Sequence, residues 1–257
     1  MRLRFVAPLI AVLVLAVLLL HNLQQEFGRG SAAHFKVGVI VPLTGSLGDY
    51  GMAIYNSIEL AKRDRPEVFD RVQFIFEDVQ YDTKSAISAF HNLRQLQKID
   101  LVYVWGVTFC KALAPLAEAV RLPMVGQCID QEAASGRHFI LRFMNYSSEY
   151  MLVQAEYLKQ RGLNRIGIIL ADNSYLEEMY TALVENLLPG QRLEIIERIP
   201  ITDMDLRTPI SKAKFVEYDA VGVFLGPGQI SQFYRQAREQ SLSTPTFGTN
   251  FFESLSE

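Results

Sequence analysis

Catalysis by side chains needs acids, bases or nucleophiles at fixed spacing, and the four histidines do not supply it. His21 and His34 lie in or beside an apolar N-terminal segment, His91 falls within a helical pattern, and His138 precedes a short strand. No G-x-S-x-G, H-E-x-x-H or phosphate-loop pattern occurs. Asp78 with Asp82, and Glu177 with Glu178, are carboxylate pairs, but solvation at a strand end and on a helix surface accounts for both. Cys110 and Cys128 lack the Cys/His cluster that a zinc site needs. The residues therefore predict a protein that is not an enzyme, with no metal and no cofactor. What they offer instead is a binding loop. Gly45, Gly48 and Gly51 let backbone pass close to a ligand and enter a helix, beside Tyr50, and free N–H groups at a helix start suit an anion. Their spacing, G-x-x-G-x-x-G, departs from the dinucleotide fingerprint G-x-G-x-x-G, which leaves a nucleotide-dependent enzyme as a remote alternative.

These residues sit on alternating β-branched runs and amphipathic stretches, the pattern of βαβ units and parallel sheets. Strands are predicted at 36–42, 72–76, 101–105, 123–125 and 139–143, and helices at 50–64, from Asp82 through Leu96, and at 110–120. The order then begins again: helix 151–161, strand 165–170, helix 175–188, strand 193–199, strand 220–225, helix 230–240 and a strand at Thr246 and Phe247. Val37-Gly38-Val39-Ile40 and Ile166-Gly167-Ile168-Ile169 open the two halves as a weak internal repeat. The prediction is an α/β fold of two Rossmann-like lobes with parallel central sheets and a hinge between them. Loops after the strands would meet in a cleft.

With 49% hydrophobic and 21% charged residues the chain is globular, and its net charge of −3 without a basic stripe excludes nucleic acid as a partner. Arg2 and Arg4 precede an apolar run from Phe5 to Leu20, the n- and h-regions of a secretory signal. No small-residue cleavage site follows at once, so residues 1–34 are expected to be a signal peptide or, uncleaved, an N-terminal membrane anchor. An exported chain with two cysteines permits one disulfide, Cys110 to Cys128, against two buried free thiols.

The stretch from Val37 to Gly45, with Gly48-Asp49-Tyr50-Gly51, Asn56 to Ala61, Glu77-Asp78, Asp82, the run from Gly106 to Pro115, the run from Asp172 to Tyr175 and Arg235-Gln236-Ala237-Arg238, resembles the type I periplasmic solute-binding proteins. The likeness is to the branch that binds leucine, isoleucine, valine and related amino acids or amides for ABC transporters. It implies a monomeric extracytoplasmic receptor that closes around a small molecule and presents the closed form to an ABC permease. An anchored ligand-sensing domain is the alternative. The expected division is residues 1–34, a first lobe at 35–143 and a second at 144–257, incomplete because family members continue back into the first lobe.

The resemblance also assigns the ligand-binding residues. Tyr50 would lie over the ligand, with Tyr175 as its counterpart in the second lobe. Cys110 stands where leucine-type binders place serine, so the backbone of Cys110 and Lys111, and the Lys111 ammonium, would take the ligand carboxylate; Lys111 is otherwise a solvated lysine. Cys128 lies in the third contact region. Asp130 would pair with a cationic group or, alternatively, cap the stretch 131–135.

Overall fold

The computed structural model describes residues 34–253, so the expectations for residues 1–33 lie outside the described residues. Five strands build the first sheet: β1 (Phe35–Val41), β2 (Val72–Asp78), β3 (Leu101–Trp105), β4 (Met124–Gln127) and β5 (Ile140–Arg142). Their order is β2-β1-β3-β4-β5, all parallel. The second sheet has β6 (Arg165–Asp172), β7 (Arg192–Pro200), β8 (Ala220–Phe224) and β9 (Thr246–Gly248) in the order β7-β6-β8-β9, again parallel. Each lobe thus repeats one strand order, and the two halves of the sequence repeat, β1 and β6, occupy the same place in it.

Placement follows from composition. β1 and β6 are nearly continuous apolar runs because parallel central strands are covered on both faces. Val37, Val39 and Val41 face helix α1 (Gly48–Asp64) through Ile54 and Ile58, while Ile40 joins the core beneath α2 (Thr83–Asn92) and α3 (Val107–Ala119). The second sheet carries α4 (Ser147–Gln160), α5 (Ser174–Glu185), α6 (Arg207–Phe215) and α7 (Gln229–Glu239).

Asp82 caps α2 as its position predicts, its carboxylate accepting the Ser85 N–H at 2.7 Å. Leu96 does not join that helix's buried face. The chain enters a π-helical turn at Leu93–Gln97, which shifts the register, buries Leu93 and leaves Leu96 exposed. The α3 helix begins at Val107, three residues before the expected start, and α5 ends at Glu185, before the Pro189-Gly190 signal. Helix α6 was not expected, since Pro209, Ile210 and Ala213 are too few to set a period.

The chain crosses between lobes through residues 143–146, and Arg142 organises the crossing. Its guanidinium donates to the carbonyls of Cys128 (2.8 Å), Met144 and Asn145 (3.3 Å), and stacks 3.8 Å over the Tyr146 ring. The Ser147 N–H returns to the Ile129 carbonyl at 3.2 Å, so the start of the second lobe is bonded to the loop after β4.

Candidate ligand-binding site

Strand order reverses at β1 and β3 in one sheet and at β6 and β8 in the other, which opens a crevice at the carboxyl ends of the strands. A cavity of about 260 Å³ lies there, between the lobes. The first lobe contributes Leu47 and Tyr50 after β1, Tyr81 after β2, Trp105, Gly106 and Val107 at the end of β3, and Gln127, Cys128 and Ile129 at the end of β4. Met144 comes from the crossing; the second lobe adds Asn173 and Tyr175 after β6, and Asn250 and Phe251 after β9.

Five aromatic rings, those of Tyr50, Tyr81, Trp105, Tyr175 and Phe251, line the cavity. Tyr50 stacks on Trp105 at 5.2 Å, and Tyr81 meets Trp105 edge-on at 5.8 Å and Phe109 at 4.9 Å. Burial raises the Tyr81 pKa despite its bonds to Thr108, so the phenol stays protonated and can donate. Tyr81 holds φ at +61°, an uncommon conformation for an aromatic residue, and the turn is secured by Asp78. That carboxylate accepts N–H groups from Leu43 (2.9 Å), Thr44 (3.3 Å) and Gln80 (3.1 Å) and the Thr44 hydroxyl (2.6 Å), tying the loop of Tyr50 to the loop of Tyr81.

The polar groups share one bias. Asn173 Oδ1 accepts the N–H groups of Tyr175 (2.9 Å) and Leu176 (3.4 Å), Gln127 Oε1 accepts the Tyr103 hydroxyl, and Asn250 Oδ1 accepts the Tyr175 hydroxyl. Among the described residues each amide that lines the cavity therefore has its oxygen engaged and its NH₂ donor left over. Helix α3 adds to this, because Gly106 starts it at φ +104° with no side-chain cap and Val107, its first residue, lines the cavity. Among the described residues no charged side chain lines it. The site is built to receive hydrogen-bond acceptors between aromatic faces.

The predicted residues divide. Tyr50, Cys128 and Tyr175 line the cavity, whereas Cys110, Lys111 and Asp130 do not. Because α3 starts early, Cys110 is inside the helix with its N–H bonded to the Gly106 carbonyl at 3.0 Å, and it has no backbone donor for a carboxylate. In the glycine loop the N–H groups of Gly48 and Tyr50 are bonded to the Gly45 and Leu47 carbonyls, so these two are not open to an anion. Lys111 reaches across the lobes to Glu178 at 3.1 Å, with the Asp130 carboxylate 3.9 Å away, in a second polar groove. Asp130 is 2% exposed and bonds the Glu132 N–H at 3.1 Å in a turn; no helix follows over 131–135. Cys110 and Cys128 are adjacent, both sulfurs converging on Gly126, but they are buried free thiols and no disulfide joins them. Burial, then contact with Cys128, holds the Cys110 pKa well above the ordinary range, so it is a thiol at neutral pH.

A family model for periplasmic binding proteins matches residues 34–256. The chain belongs to that family. Its members are substrate-binding proteins and not enzymes. Among solved structures it is similar to a solute-binding protein of an ABC transporter from Rhodopseudomonas palustris, in complex with 3,4-dihydroxybenzoic acid, at 20% identity and a TM-score of 0.74 over 86% of this chain and 63% of that one. It is similar to a leucine-binding protein from Thermotoga maritima at 21% identity and a TM-score of 0.75, over 84% and 63% of the two chains. A branched-chain amino acid transporter binding protein from Streptococcus pneumoniae, in complex with isoleucine, aligns at 18% identity with a TM-score of 0.73 over 85% and 65%. These likenesses show the type I periplasmic binding protein fold, and the chain spans under two thirds of each neighbour's length. No curated protein sequence matches it significantly.

In this periplasmic binding protein the sequence reading missed Tyr81, Trp105, Gln127, Asn173, Asn250 and Phe251 as cavity residues, and Arg142 as the organiser of the crossing. One general signal was available for four of them: Tyr81, Trp105, Gln127 and Asn173 lie at or just past strand carboxyl ends, where doubly wound sheets bind. Nothing local marks Arg142, whose role depends on three carbonyls brought together by the fold.

Proposed function

We propose that the protein is an extracytoplasmic solute-binding component of an ABC transporter, closing its lobes around a small aromatic carboxylate and offering the closed form to a membrane permease. The observation that carries this reading is the cavity's one-sided polarity. Amide NH₂ donors and the uncapped start of α3 suit a carboxylate, while the rings of Tyr50, Trp105, Tyr81 and Tyr175 suit an apolar, planar body. A solved neighbour that holds 3,4-dihydroxybenzoic acid supports the class. An amino acid or amide, the class implied by the sequence resemblance and supported by the neighbour with isoleucine, would use the same helix terminus but brings an ammonium or amide donor into a cavity that no carboxylate lines among the described residues. Family membership supports export, and among the described residues no helix is long and apolar enough to cross a membrane.

Closure is a population shift. Ligand held by the first lobe gains Asn173, Tyr175 and Asn250 only when the second lobe is in place, so it favours the closed state by that differential affinity. Thermal denaturation with benzoate-type monocarboxylates, branched-chain amino acids and simple amides tests the reading. The expected outcome is a rise of about 5 °C or more for an aromatic monocarboxylate at a hundredfold its Kd. Stabilisation by amino acids alone would keep the transport role and overturn the ligand class; stabilisation by none would overturn both.

A further inference from the structure

The two tyrosines expected to close on a ligand do not face each other across open space. Phe251 stands between them, its ring centroid 4.8 Å from Tyr175 and 6.2 Å from Tyr50, tilted to both. It is therefore in contact with both tyrosines, and Tyr50 in turn stacks on Trp105.

The turn that carries Phe251 is held from the second lobe. Asn250 accepts the Tyr175 hydroxyl. Thr249 takes the Phe252 N–H on its carbonyl at 3.2 Å and the Phe251 N–H on its hydroxyl at 3.4 Å. The neighbouring Phe252 packs on Gly248, where a Cβ would stand 1.9 Å from the ring, and meets Tyr234 edge-on at 5.9 Å. Gln154 donates to the Gly248 carbonyl at 2.7 Å. The turn is thus anchored by its other residues, while Phe251 projects into the cavity and is only partly buried. A large apolar ring placed by a built turn at the closure of a 260 Å³ cavity limits what fits beside it.

We infer that Phe251 determines ligand size in this site, acting as a further aromatic wall that admits a single ring and excludes a fused pair. The inference rests on the aromatic-carboxylate reading and deepens it. It makes lobe closure and size selection one event, because the ring that measures the ligand arrives with the second lobe.

Titration calorimetry of the 257-residue chain and its Phe251→Ala and Phe251→Leu variants with benzoate and 2-naphthoate tests it. The unsubstituted chain is expected to prefer benzoate. In Phe251→Ala, benzoate loses about tenfold in affinity with its ring contact, and naphthoate gains at least about tenfold, reversing the preference. Phe251→Leu keeps an apolar side chain on the same turn and should give an intermediate ratio even if the alanine variant fails to fold. An unchanged benzoate-to-naphthoate ratio in the leucine variant, or equal losses for both ligands in the alanine variant, overturns the size role and leaves the aromatic-acid reading standing. Failure of the unsubstituted chain to bind either acid overturns that reading, and this inference with it.

Discussion

The two lobes share a strand order and each sends a tyrosine into the cavity from the helix after its first strand, yet α3 and α5, whose starts both border the cavity, begin differently. In the first lobe α3 begins at Gly106 with no side-chain cap of its own; Tyr81 reaches the Thr108 N–H, and Val107, the first residue, borders the cavity. In the second lobe α5 begins at Asn173, whose side chain accepts the Tyr175 and Leu176 N–H groups and closes the terminus. On the proposed function, the first lobe offers the start of α3 as an electrostatic seat, together with Gln127, and the second adds Asn173, Asn250, Tyr175 and Phe251 on closing.

Substitutions at the two helix starts break this comparison most sharply. At Gly106 the backbone needs φ +104°, and a Cβ would lie 2.9 Å from the Tyr81 ring. Gly106→Ala should cost about 1–3 kcal/mol of stability through backbone strain, and ligand affinity should fall more than about tenfold because the seat itself moves. Asn173→Ala removes a cap, at about 1 kcal/mol, and should weaken binding less. Urea denaturation and calorimetry on both variants measure the two effects; greater binding loss at Asn173 than at Gly106 would reverse the roles given to the lobes.

The jaws sharpen it. Tyr50→Ala removes a ring stacked on Trp105 and should weaken an aromatic ligand by about tenfold. Tyr175→Phe keeps the ring but frees Asn250, and should weaken binding by about two- to fivefold by loosening the Phe251 turn. Equal affinity of both variants with the unsubstituted chain would remove the jaws from the mechanism.

Acid sensitivity belongs to the first lobe. Burial works against the charge on Asp78, but the Thr44 hydroxyl and the N–H groups of Gln80, Leu43 and Thr44 outweigh it and hold the carboxyl below its ordinary value. Depression of a carboxyl pKa means that its stabilising effect is present above the unfolded value, about 3.9, and is lost as pH falls through the folded one. The stability of the ligand-free chain to urea should therefore decline below about pH 4 as the Tyr50 and Tyr81 loops separate. Asp78→Asn should be less stable at pH 7 and show a smaller decline. A decline of the same size in the asparagine variant would assign acid sensitivity elsewhere.

Legibility in the sequence followed the same division. Strands β1 and β6 were readable because burial on both faces writes long β-branched runs, and Asp82 was readable because a cap precedes its helix. The site was only half readable. Tyr50 and Tyr175 stand close in sequence to the strands that position them, whereas Phe251 reaches the cavity through a turn fixed by Gly248, Gln154 and Tyr175, contacts across the fold that no local pattern encodes. The start of α3 was misplaced by three residues for a related reason. Gly106 reads as a breaker in isolation, and only its positive φ in the folded chain shows that it is the entry to the helix. That shift places Cys110 and Lys111 on the helix flank, outside the cavity lining.

Lys111 is accordingly a joint between the lobes. On α3 it extends to Glu178 on α5, one turn beyond the place where Thr108 donates to Ser174 at 2.8 Å, so the two helices are linked at successive turns across the cleft. The Glu178 hydrogen bond outweighs the cost of partial burial and raises the Lys111 pKa, which keeps the ammonium charged throughout the physiological range. Its side chain is still 48% exposed, and solvent screening limits the pair to less than about 1 kcal/mol. Lys111→Met and Glu178→Gln should each raise the ligand Kd by no more than about threefold, with the double variant matching either single one, because each removes the same closed-state contact. High salt should produce the same small change in the unsubstituted chain and none in the double variant. If Lys111 instead held the ligand carboxylate, Lys111→Met would cost far more than Glu178→Gln, and the coupling between them would disappear.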